Sequence, residues 1–479
     1  MIGINRPLYS CVLALTVNLV ASLFAQSARA QLYWDSSTAS GLQTGSGNWG
    51  TNGNGNRMWS NSLSGSNPLL LWTNGGDAVF QASGGTSTVS LNAQAITVNS
   101  MTFNATGYTI AAGTQTLTLV GSGTIITNAD ATITEPLSGS VGLTKQGSAI
   151  LTVSGLNNYT GLTDVQAGTF AYGASNVLAD TSTVKVSGGT LDIKTFSDTV
   201  AGVQLTSGNI NGTIGTLTSN SAFDVQSGSI SAKLGGSVGL TKSTAGTVTL
   251  SGANTYSGAT NINAGTLSVA ATNSLGGTSS VTVSSGGTLL LSGTTGNNRI
   301  NNSAGVSMTG GSTFNTGKLT EGVVPTGPTG SGGSAGMAAL TLSGSSAATG
   351  DHIVINFATL STDPGSALAF SSLIGGSGKF VDILNWTGQL GFDNGSANND
   401  RLLFASDPAL SQTDLANFNF YSDGGSTLFA AGGTEFVYGN MFEIVAVPEP
   451  STWVAAGLSL LVVACSQRRR FARAIKRVG

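Results

Sequence analysis

Few residues in this chain could do chemistry. His352 is its one histidine, and its two cysteines, Cys11 and Cys465, lie near opposite ends. A lone His beside Asp351 makes no triad, and without further His or Cys a conventional zinc site has no ligand set. Gly-x-Ser-x-Gly occurs at 235–239 and 332–336, but neither copy lies between a strand and a helix, as a nucleophile elbow requires. Residues 45–50 fit Gly-x-Gly-x-x-Gly without the βαβ setting a dinucleotide site needs. The stretch Asp393-Asn394-Gly395-Ser396-Ala397-Asn398-Asn399-Asp400 could hold calcium. It lacks EF-hand spacing, and a polar turn with Asx hydrogen bonds is the favoured reading. Asp164, Asp180, Asp192, Asp198 and Asp224 could serve a polysaccharide lyase or hydrolase only if two or more met on one face with a cation. They share no motif. No enzyme activity, cofactor or metal is expected.

The elements that would position these residues are strands. Charged residues make up 8 %, against about 25 % in ordinary soluble domains, and 69 residues are Gly. Short runs alternate with period two: 87–91, 115–119, 149–153 and 247–250. Such alternation puts apolar side chains on one face of a strand, and Gly and Asn between the runs supply turns. Ser140–Thr169 and Ser237–Thr266 are related at an offset of 97, with 16 of 30 positions identical. Units of short strands cannot bury an apolar face alone; stacked, they share one core. The expected fold is all-β, a parallel right-handed β-helix or solenoid with β-rich terminal capping modules.

Both ends read as addresses. Arg6 precedes an apolar stretch from Leu8 to Ala25, and Ala28-Arg29-Ala30 is a small-x-small site, predicting a signal peptide over 1–30 cut before Gln31. At the other end Val447-Pro448-Glu449-Pro450 leads into an apolar run of about 16 residues, Ser451 to Ser466, shorter than the roughly 20 of a comfortable span. Arg468-Arg469-Arg470 follows as a cationic stop. All 21 acidic residues lie between Asp35 and Glu449, against ten basic ones, Arg57 to Arg401, so this span carries −11 although the chain totals −3. Such a body has no electrostatic pull toward nucleic acid.

The tail, 447–479, resembles the PEP-CTERM sorting signal of Gram-negative bacteria. The resemblance implies processing by an exosortase, a membrane cysteine protease. It makes Pro448, Glu449 and Pro450 recognition residues rather than catalytic ones. Signal peptidase would act at the other end. The chain would cross the inner membrane, be held briefly by the tail, and reach the cell surface or the medium. The motif Leu-Thr-Lys, Leu-Thr-x-Ser-Gly-x-Asn-x-Tyr-x-Gly-x-Thr, Ala-Gly-Thr resembles the autotransporter-associated β-strand repeat, with copies at 140–170 and 237–267. This implies a surface or extracellular β-helix; no outer-membrane barrel is apparent in the sequence. Lys145 and Lys242, Asn157 and Asn254, and Tyr159 and Tyr256 occupy matching positions. Structural roles are expected: Asn bonded to its turn and the next rung, Tyr with its hydroxyl exposed, Lys as a charge against edge pairing.

Trp34, Trp49, Trp59 and Trp72 mark an N-terminal module over 31–120. They are expected to cap the solenoid core; the alternative is glycan stacking by exposed Trp34 and Trp49. The solenoid proper is expected over 121–320, a Gly/Pro/Ser-rich linker over 321–350, and an acidic β-rich module over 351–446. Ser411-Gln412-Thr413-Asp414 predicts a short capped helix near 411–418. A structural or adhesive surface protein, associated by resemblance with extracellular polysaccharide, is the leading reading. A carbohydrate-binding protein using the tryptophans comes second, and a β-helical lyase or hydrolase third.

Overall fold

A computed structural model describes residues 31–446, except 66–67, 294–297, 322–336, 346–350, 358–366, 371, 376–377, 387–399, 406–407, 409, 422–427, 432 and 439–440. The targeting segments and most of the proposed calcium loop lie outside these residues. Among the described residues, no helix is long and apolar enough to cross a membrane.

The chain winds as a parallel solenoid, each rung laying short strands on three faces. On face one, Thr144 pairs with Asp164, Asp164 with Lys185, and, further along, Thr241 with Asn261. The step is about 20 residues per rung. Face two stacks Ser87–Ser90 on Tyr108–Ala111, then Ala131–Ile133, Ile150–Val153 and Thr169–Tyr172. Face three holds the first halves of Ile96–Phe103 and Leu117–Thr127, then Leu137–Ser138. Leu117–Thr127 turns the corner at Gly121 and Gly123, both at positive φ.

The alternation seen in the sequence is the alternation of burial. Thr247–Leu250 runs exposed, buried, half-buried, buried, with Val248 and Leu250 inside. Stacked rungs align these inward positions into one continuous apolar core. Corners fit only if the backbone approaches closely. A Cβ on Gly208 would meet the Gly189 carbonyl oxygen at 2.2 Å, and one on Gly228 the Gly208 oxygen at 2.1 Å. Both adopt positive φ, so a column of glycines is a condition of stacking there.

The stack crosses the expected module boundaries. Face one begins with Gln31–Trp34 on Gly76–Phe80. Leu340–Ser343, inside the segment expected as a linker, is a face-one strand between Gly305–Thr309 and Leu373–Ile374. Its Leu340 and Leu342 alternate inward, which outweighs the Gly and Pro upstream. Antiparallel partners occur at both ends: Trp59–Ser60 on Gln31–Trp34, Leu428–Ala431 on Phe418–Tyr421, and Met441–Ala446 on Arg401–Phe404. The helix is one turn, Gln412–Leu415; Asp414 N–H donates to Ser411 Oγ, and Ser411 N–H to Asp414 Oδ2, as a reciprocal cap.

Candidate functional site

The repeated Lys and Asn are rung-to-rung connectors. Starting from Thr144, the register passes through Asp164, Lys185, Gln204 and Asp224 to Thr241. The 97-residue offset is therefore five rungs. Alternation from Leu143 sends Lys145 inward, in register with Ile125 and Val165. Lys145 is fully buried. Its Nζ donates to the carbonyls of Gln146, Gly147 and Ala167 at 2.9, 3.0 and 3.0 Å, tying one corner to the next rung. Burial pushes its pKa down to about 8. Lys242 is buried likewise and donates to Thr244 and Ala264. The expectation of an exposed lysine guarding an edge is thus corrected: the amine is needed where turn carbonyls converge inside.

Asn157 joins three rungs. Its Oδ1 accepts from Leu137 N–H at 2.7 Å and its Nδ2 donates to Val177 O at 2.8 Å. Asn254 does the same with Leu234 and Ser274. The corner position and the bond to the next rung are as read from sequence, but the second bond goes to the preceding rung rather than to the residue's own turn. Tyr159 and Tyr256 differ from expectation: both are buried, with hydroxyls paired to Thr163 and Thr260 at 2.6 and 2.7 Å. Burial holds both phenols well above their usual range.

Carboxylates take two comparable corner positions. Asp198, 2 % exposed, accepts from Leu178 N–H at 3.0 Å, and the buried Tyr172 hydroxyl faces it without a well-directed hydrogen bond. Burial raises Asp198 to about 6, against opposing hydrogen bonds. Glu321 accepts from Arg299 and Ile300 N–H, both at 3.0 Å.

The aromatic alternative is overturned by position. Trp34, Trp49 and Trp59 are fully buried and Trp72 nearly so. Trp34 meets Trp59 edge-on at 5.3 Å, Trp49 meets Trp72 at 5.0 Å, and the group continues through Phe80, stacked on Phe103 at 4.7 Å. Trp34 and Trp49 therefore offer no ring to a glycan; they fill the first rungs, where few other side chains supply as much apolar area. The five candidate carboxylates do not converge on one outward face. Asp164 and Asp224 point outward on face one, Asp192 outward on face two, and Asp198 is buried. Asp180 is exposed in a turn, near enough to Asp198 for its charge to raise that carboxyl's pKa. Among the described residues, no group of three or more His, Cys, Asp or Glu could hold a metal. His352, which sequence reasoning set aside, pairs with Asp382 at 2.9 Å and stacks on Phe380.

Face two carries an outward concavity. A groove of about 430 Å³ runs over face two from Thr86 to Lys194. Its floor is a straight row: Thr109, Thr132, Thr152, Ala171 and Asp192, each in register with the next. Ala171 in place of a longer side chain deepens it. Asp130 and Asp192 are fixed by accepting from the backbone N–H of Ile150 and Lys194, both at 2.9 Å. Below, Tyr108 donates to Ala82 O at 3.0 Å, and burial pushes its phenol up to about 12. Sequence reasoning missed the groove because its residues are about 20 apart; the recurrent outward Thr was the available signal.

Known proteins match in the repeat region. Residues 143–171 and 240–269 match the passenger-associated-transport-repeat model. Each match starts on a face-one strand and runs through the face-two strand of the following rung, so it contains the Lys, Asn and Tyr connectors together. The chain is also similar to the adhesin BmaC autotransporter of Brucella suis biovar 1 (strain 1330), 35 % identical over 168 residues. That match covers 34 % of this chain and only 5 % of the relative. No solved structure matches.

Proposed function

We propose that this chain is an exported surface protein whose solenoid acts as a structural or adhesive rod. The carrying observation is that the repeat's most distinctive side chains are committed to the solenoid itself: Lys145 and Asn157 with their counterparts join rungs, and Tyr159 and Tyr256 are buried in it. Similarity to a protein named as an adhesin supports the reading. Antiparallel strands at both ends would limit end-to-end association, which is how we read the capping modules. In the same proposal, signal peptidase cuts after Ala30 and an exosortase recognises Pro448, Glu449 and Pro450. Arg468, Arg469 and Arg470 hold the tail in the membrane until then, and extracellular polysaccharide is the surrounding partner.

Mass spectrometry of the termini, with protease shaving of intact Gram-negative cells, tests this. A mature chain starting at Gln31, lacking Arg468–Arg470 and accessible to external protease is expected. An intact Arg-rich tail on surface-exposed protein would contradict sorting; full protection on intact cells would contradict the surface role.

A further inference from the structure

The outward carboxylates of face one are satisfied by neighbouring side chains. Asp77 accepts from Asn99 and Ser100. Asp164 accepts from Gln166 and Ser187, and Asp224 from Gln204, Gln226 and Ser243. Burial opposes the charge on Asp224, yet these three bonds outweigh it and lower its pKa. On face two, the hydroxyls of Thr109, Thr132 and Thr152 make no hydrogen bond within the described residues, and they line a groove. A straight row of unused hydroxyls in a concavity is what a hydroxyl-rich ligand would satisfy.

The groove's shape limits the ligand. Its lining spans six rungs, about 24 Å at the strand spacing of a sheet. Along its floor hydroxyls recur once per rung over three successive rungs, Thr109, Thr132 and Thr152, in a straight line, so the ligand must present hydrogen-bonding groups at a similar repeat without coiling. Ile150, 40 % exposed, adds an apolar contact for a sugar face. Asp130 and Asp192 against Lys194 leave the groove slightly negative, on an acidic body, which disfavours anionic chains.

We infer that this face-two groove binds a straight, neutral, β-1,4-linked glycan lying along the solenoid axis. This rests on the surface reading above and gives it a partner class and a place.

Calorimetric titration of the full chain tests it, with cellohexaose as probe and maltohexaose and a galacturonate oligomer as coiled and anionic comparisons. Cellohexaose should bind, and the other two at least tenfold more weakly. Thr132→Val with Thr152→Val removes two hydroxyls at nearly constant shape and should weaken cellohexaose at least tenfold. Thr241→Val with Thr282→Val, outward on face one, should leave it unchanged. Circular dichroism melts check that both variants fold. No cellohexaose binding, equal binding of all three probes, or indifference to the face-two pair overturns the inference. Protease shaving separates the two ideas: surface exposure without glycan binding sinks only the groove.

Discussion

Asp198 makes the clearest residue-scale case. Its carboxyl is raised to about 6, against about 3.9 in an unfolded chain. The folded state therefore holds the proton more tightly, so this group's contribution is full below about pH 4 and is lost as pH rises through about 6. Two units correspond to about 3 kcal/mol. Asp198→Asn should remove the dependence and stabilise the rung at pH 7.5, since an amide has no charge to bury. Slower hydrogen exchange of the Leu178 amide in the variant at pH 7.5, and none of that gain at pH 4, is the expected pattern. Lys145 has the opposite sign. With its pKa lowered to about 8, stability rises as pH climbs from about 8 toward the unfolded value of about 10.4. Lys145→Met would leave turn carbonyls without their donor and should cost about 1–3 kcal/mol, read as faster exchange on the rungs of Gln146 and Ala167.

At the scale of elements, strands are held by what joins rungs as much as by what fills them. Asn157→Ala orphans Leu137 N–H and removes the side-chain bond to Val177 O, which keeps only the backbone N–H of residue 157. A loss on the order of 2 kcal/mol or more is expected, and Asn157→Asp should be worse, because it keeps the acceptor but sets a charge against Val177 O. Denaturant melts of both variants would reverse this view if Asp proved the milder change. Gly208→Ala tests the corner column: a Cβ 2.2 Å from the Gly189 carbonyl cannot be accommodated without moving backbone. Local protection should fall on the neighbouring rungs and be retained far along the stack, because solenoid stability is a sum over neighbours. Much of this scale was legible beforehand. Thr247–Leu250 forms a strand over the residues its alternation marked, and Ser411 caps its helix. The inward turn of Lys145 was also written in Leu143-Thr144-Lys145, but reading it required trusting period-two alternation over the usual exposure of lysine.

For the whole molecule, local sequence determined that the chain is β, repetitive and rich in tight corners, because strand alternation and glycine corners act over a few neighbouring residues. It also marked Asn157 as a corner residue. Tertiary structure alone decided that 97 residues are five rungs, that Trp34 and Trp49 face inward, and that Tyr159 hides its hydroxyl. It also divided the candidate carboxylates between two faces, a turn and the interior, and gathered Thr109, Thr132 and Thr152 into one groove. The physical reason is stacking. A parallel rung brings together residues about 20 apart, and which of them meet depends on the exact length of every turn between, a sum that no local pattern records.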